Sequence, residues 1–149
     1  MNLILAVIVA FSQLTNATVK SDEDLHIYRA IHYNVGKMEE VIYNRSNPRS
    51  KHYTKGFSVR SGMAGYVAVP SCSRLGQIVL VQFWDKRKLK WGAWERHQVV
   101  DCTKEEDLAH HAYYNIGIET NGNTAKKYGF YLSDGGDGWT RARIWGYSK

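Results

Sequence analysis

Gly65-Tyr-Val-Ala-Val-Pro70, Gln77-Ile-Val-Leu-Val-Gln-Phe-Trp84 and Trp94-Glu-Arg-His-Gln-Val-Val-Asp101 are short runs rich in Val, Ile and aromatic residues, and their reading decides the fold. Runs of this length and composition are strands rather than helices. A cysteine-bearing turn, Ser71-Cys-Ser-Arg-Leu-Gly76, joins the first to the second. A basic tip, Asp85-Lys-Arg-Lys-Leu-Lys90, makes a hairpin of the second and third. In the second run Ile78 and Leu80 share one face while Val79, Val81 and Phe83 share the other, so both faces are apolar. Such a strand belongs in a closed barrel or beneath a helix. In the third, Ala93, Glu95, His97, Val99 and Asp101 fall on one side by the period of two, which places two acids and a histidine where they could line a groove.

Beyond Asp101, Thr103-Lys-Glu-Glu106 fits a capping box for a helix from about Lys104 to Tyr114, with Leu108, His111 and Ala112 inward. Asn115 to Thr120 reads as a short strand, and Asn123 caps a short helix that Gly129 closes. Trp139 to Tyr147 is a last strand, with Arg141, Arg143 and Trp145 on one side and Ala142 and Ile144 on the other. The loop Asp134-Gly-Gly-Asp-Gly138 lacks the alternating ligands and terminal Glu of an EF-hand. His110 and His111 are adjacent and point to different sides of a helix, so no metal site is expected. Upstream, Gly56 to Arg60 would open the barrel, a basic loop runs from Asn47 to Lys55, Met38 to Tyr43 fits a strand or one helical turn and is read as a strand, and Leu25 to Tyr33 alternates loosely.

The chain of 149 residues suits one domain around one core. Leu3 to Phe11 is an unbroken apolar run, well short of the ~20 residues of a membrane-spanning helix. Thr15-Asn-Ala17 then supplies small residues for a signal-peptidase cut. Residues 1–17 therefore read as a signal peptide, 18–55 as an arm with the first strands, and 56–149 as the barrel domain. The expected location is secreted or extracytoplasmic, with no stable membrane insertion once the signal is removed. Residues 1–19 carry no charged side chain, so the remainder keeps the formal net charge of +6. Outside the cytoplasm such a chain meets anionic polymers and membrane surfaces first, and no nucleic-acid partner is expected. The basic clusters at Arg45 to Arg60 and Lys86 to Lys90 read either as solvated loops or as a binding patch.

Two cysteines in a secreted chain most simply form one bridge, here Cys72 with Cys102. Closing that loop stabilises the fold by about 3 to 4 kcal/mol on the chain-entropy account. The other reading of Cys102, a nucleophilic thiol at a helix start, needs a histidine from a later strand to take its proton, and none follows His111. Asp101 is the stronger chemical candidate. Glycosidic cleavage requires a proton donor to the leaving oxygen, and a strand-end Asp in a partly apolar groove can hold that proton near neutrality. Hydrolysis uses a second carboxylate, for which Glu95 and Glu119 are placed, whereas a lytic route through the sugar's own hydroxyl works with one. His97, Trp94 and Trp145 are candidate binding residues, and no cofactor is expected. An Asp that merely caps the following turn is the structural alternative.

The order of elements completes the picture: Ala68-Val-Pro70, the Leu75-Gly76 turn into an apolar strand, the strand end Val99-Val-Asp-Cys102, a helical insert, and Ile118-Glu119 ahead of Asn123-Thr-Ala-Lys-Lys-Tyr-Gly129. Over about residues 56 to 147 this resembles the double-psi β-barrel of RlpA-like and expansin-like cell-wall proteins. The resemblance implies a mostly β fold, a six-stranded double-psi β-barrel with one or two short helices. It also implies a secreted domain that binds or cleaves cell-wall or extracellular polysaccharide, with a glycan as partner. Members include lytic transglycosylases and endoglucanases that use the strand-end Asp as acid, matched here by Asp101, and expansins that loosen polysaccharide without hydrolysis. A catalytic domain and a non-catalytic carbohydrate- or protein-binding module both remain open.

Overall fold

The computed structural model describes residues 25–133 and 138–145. The expected signal peptide, residues 18–24 of the arm, residues 134–137 of the turn-rich loop and the end of the last strand lie outside them. In chain order the elements are β1 (Ile27–His32), α1 (Lys37–Ser46), β2 (Gly65–Val69), β3 (Ile78–Asp85), β4 (Lys90–Trp91), β5 (Glu95–Cys102), α2 (Leu108–Tyr113), β6 (Ile116–Thr120), α3 (Gly122–Lys127) and β7 (Thr140–Trp145). No helix among the described residues is long and apolar enough to cross a membrane.

Six strands close a mixed barrel in the order β3-β5-β2-β6-β1-β7, with β7 pairing back onto β3. β1 and β6 run parallel, as do β2 and β5, and the remaining neighbours are antiparallel. β4 pairs only with the end of β3, Trp84 opposite Trp91 and Asp85 opposite Lys90, which makes the expected basic hairpin tip. Alternation does the rest. Val67 and Val69, Val79, Val81 and Phe83, Val99, Ile118, and Ala142 and Ile144 all turn inward, and Tyr128 and Phe130 join them in one core. Each such side chain contributes roughly 1.5–3 kcal/mol when fully buried.

A second, smaller cluster lies on the outside of the wall, where Met38 of α1 packs on Ala68 and Val100 with Tyr33, Ile42, Phe57 and Tyr66 around them. This corrects the expected strand at Met38 to Tyr43. Met38, Ile42 and Arg45 recur at helical spacing on one face, and Glu39 and Glu40 in the first turn with Arg45 in the last suit the helix dipole. Gly56 to Arg60 is also not a strand. It is part of a loop that the buried Gln98 clamps: its amide donates to the Ser58 carbonyl (2.8 Å) and accepts from the Arg60 N–H (2.9 Å). The barrel therefore begins upstream of residue 56, at β1, which fills the place between β6 and β7.

Thr103 does not cap the helix ahead of it; its hydroxyl meets His111 Nδ1 at 3.2 Å, and a 3-10 turn, Glu105–Asp107, leads into α2. Of the three residues expected inward only His111 is buried, because α2 is short and touches the barrel along one edge. Cys72 and Cys102 form the expected bridge, tying the turn after β2 to the end of β5 with their Cα atoms 5.0 Å apart. The Leu75-Gly76 turn is built on a left-handed residue: Gly76 has φ +82°, a conformation a side chain would strain, and its N–H donates to the Val99 carbonyl at 2.8 Å.

Candidate functional site

The site is created by a register shift. β2 and β5 pair with Gly65 opposite His97 and Val67 opposite Val99, but the next partner of Ala68 is Asp101, so β5 carries one extra residue there. A bulge of this kind re-aims the residues after it. His97 and Val99 stay on the core side, whereas Asp101 emerges on the outer face beside Ala68 and beneath α1. The single polar face expected from Glu95 to Asp101 is thus divided between the two sides of the wall.

His97 is 0% exposed, its ring edge-on to Phe83 at 5.5 Å, so it does not line a groove. Glu95 sits with it, 3.6 Å from His97 Nε2 and ion-paired to Lys127. The His97 ring, then the Lys127 and Tyr128 donors, outweigh burial and bring the Glu95 carboxyl down to about 2. Six residues of strand, about 20 Å, separate it from Asp101, and it belongs to the other face. Glu95 is a fixed anion at one end of the core.

Glu119 is the acid that the fold brings to Asp101. Ala68 of β2 lies opposite Asp101 of β5 on one side and Glu119 of β6 on the other. The two acids flank one small residue, with Cα atoms about 10 Å apart at two strand spacings. Arg45 reaches from α1, donating one Nη to Asp101 Oδ1 and the other to Thr54 Oγ1 at 3.1 Å. The Tyr33 hydroxyl donates to Asp101 Oδ2 at 3.2 Å. Asp101 and Arg45 remain 17% and 18% exposed at their side chains, so the pair is shielded without being sealed.

Burial, reinforced by the charges of Asp101 and Asp107, pushes the Glu119 carboxyl up to about 7. Burial, then the carboxylates of Glu119 and Asp101, push the Tyr33 phenol well above its ordinary value, so it keeps its proton and remains a donor. The result is one carboxyl that carries a proton near neutrality beside a second that a guanidinium and a phenol engage. Unequal environments for two neighbouring acids are the arrangement that separates an acid from a base.

An open cavity of about 320 Å³ lies on the same side, lined by Thr54, Lys55, Ser58, Arg60, Gly76 and Gln77. Thr54 links it to the acid pair through Arg45. Another of similar size lies against α2, beside Pro70, Leu108 and His111. Neither is lined by Asp101 or Glu119 themselves.

Trp94 and Trp145 meet edge to face at 6.4 Å, on the outer surface at β7. None of the five tryptophans is buried, and the core aromatics are Tyr28, Phe83, Tyr128 and Phe130. The six candidate residues therefore fall into three separate pairs: Asp101 with Glu119, Glu95 with His97, and Trp94 with Trp145. Sequence reading missed Tyr33 and Arg45. The helical spacing of Met38, Ile42 and Arg45 is the signal that would have found the second. Comparison of the chain with protein-family models, curated proteins and solved structures finds no match.

Proposed function

We propose that this chain is a secreted enzyme of the double-psi barrel type that cleaves glycosidic bonds in cell-wall or extracellular polysaccharide. The observation that carries the reading is the pairing of Asp101 and Glu119 across Ala68, with Arg45 and Tyr33 committed to only one of the two. Glu119 is the general acid, a revision of the role first given to Asp101. Its proton passes to the leaving glycosidic oxygen as the C–O bond breaks, and Asp101 takes the proton of the attacking hydroxyl, from water or from the sugar itself. Ala68 between them lies under Met38 of α1, so the attacking hydroxyl reaches Asp101 from its partly exposed edge. Two parallel strand pairs closing a six-stranded barrel support the double-psi assignment, and the disulfide supports an oxidising location.

The test is release of sugars from peptidoglycan and β-glucans. Product formation by the wild type should fall as pH rises through about 7, where Glu119 loses its proton. Glu119→Gln and Asp101→Asn should each abolish it. Undiminished products from Glu119→Gln would remove the acid, and retention of the polymer without products would favour the non-catalytic binding module.

A further inference from the structure

Across the barrel from the acid pair, the outer faces of β1, β3 and β7 carry cations laid over aromatic rings. Arg141 stands 4.2 Å from the Trp84 ring centre, Arg143 4.1 Å from that of Trp91, and Arg29 4.4 Å from that of Trp139. Arg29 and Arg141 are directly opposite one another in the β1–β7 pairing. Like charges facing across a strand pair destabilise a sheet. None of the three arginines forms an ion pair with a described acid. The nearby Asp85 is taken up by its own turn, accepting from the Arg87 and Lys88 N–H groups at 2.9 and 3.2 Å. Folding therefore holds several uncompensated guanidiniums together on one wall, flattened and oriented by tryptophan.

We propose that this wall is a docking surface for a linear acidic polysaccharide of the polyuronate type. Charge complementarity selects a polyanion, and the guanidinium fork matches a carboxylate bidentately. Arg141 and Arg143 repeat two residues apart on β7, about 6.6 Å. Each ring of a polyuronate offers a carboxylate to a guanidinium and an apolar C–H face to an uncovered ring. Trp145, 36% exposed and braced by Trp94, has no cation over its ring among the described residues. Single-stranded nucleic acid stacks its bases on successive open rings. Here Trp84, Trp91 and Trp139 each already carry a cation. The surface is independent of cleavage: it anchors the polymer while the acid pair faces the other way.

The experiment is calorimetric titration of the protein with polygalacturonate, fully methyl-esterified polygalacturonate, oligo(dT) and phosphatidylglycerol vesicles. Binding to the first, weakened by salt and lost on esterification, is expected. Arg141→Gln with Arg143→Gln should weaken it by about tenfold or more, as loss of two charge-assisted contacts requires. The corresponding Lys pair should bind at intermediate strength, and it reads the same question if the Gln pair misfolds by near-UV circular dichroism. Glu119→Gln should bind as the wild type, so failure of binding and failure of cleavage are told apart. No binding, equal binding to the ester, an unaffected Gln pair, or tighter binding to oligo(dT) or vesicles would each overturn the proposal.

Discussion

The two walls of this barrel are made by the same alternation and end in opposite electrostatics. On β5 and β2 the outer face is roofed by α1 and the 47–64 loop, α2 lies against β6, and beneath the roof Asp101 is partly buried and ion-paired to Arg45. On β3 and β7, with Arg29 of β1 beside them, the cations of the outer face lie against aromatic rings and form no ion pair with an acid among the described residues. What differs is desolvation. A roof moves the Glu119 carboxyl toward neutrality because ions lose hydration there, whereas Arg141 stands exposed to water. The same barrel core thus supports a shielded acid pair on one side and exposed cations on the other.

That contrast can be broken most forcefully at the bridge. Cys72→Ser with Cys102→Ser should lower stability by about 3 to 4 kcal/mol in urea denaturation, because it frees a loop at the roofed wall. A loss below about 1 kcal/mol would mean the roof and strand pairing hold that end alone.

A pH series sharpens it next. The folded Glu119 carboxyl at about 7 lies above its unfolded value near 4.3, so below about 4.3 both states are protonated and there is no penalty. Between those values the unfolded chain has released the proton and the folded one has not, so stability declines as pH rises, and above about 7 the cost is complete. Glu119→Gln should remove that slope, gaining on the order of 3–4 kcal/mol relative to wild type at pH 8 over pH 4. Parallel curves for the two proteins would place Glu119 in water, not under a roof.

The smallest effect belongs to the open wall. Arg141→Gln should change the unfolding free energy measured in urea by no more than about 0.5–1 kcal/mol, since an exposed cation over a ring is worth little to folding. A larger loss would make the arginines structural and take away their availability to a ligand.

Much of this was legible in the residues. Val67 to Val69, Val79 to Phe83 and Ala142 to Ile144 announce their strands because period-two alternation is local, and Cys72 and Cys102 pair because both follow strand ends. Glu119 could be named as a partner for Asp101, but so could Glu95, since spacing along a chain does not say which strands become neighbours. Met38 to Tyr43 was misread because a short apolar-polar run satisfies both periods until its contacts choose one.

By itself the amino-acid order determined a mostly β chain, its strand faces, its single bridge and a surplus of positive charge. Tertiary structure alone decided that β2 stands between β5 and β6, that one extra residue before Asp101 turns its carboxyl away from His97, and that α1 brings Arg45 over it. The reason is physical: alternation is set by backbone geometry residue by residue, whereas register, bulges and burial are set by what each strand meets across the sheet.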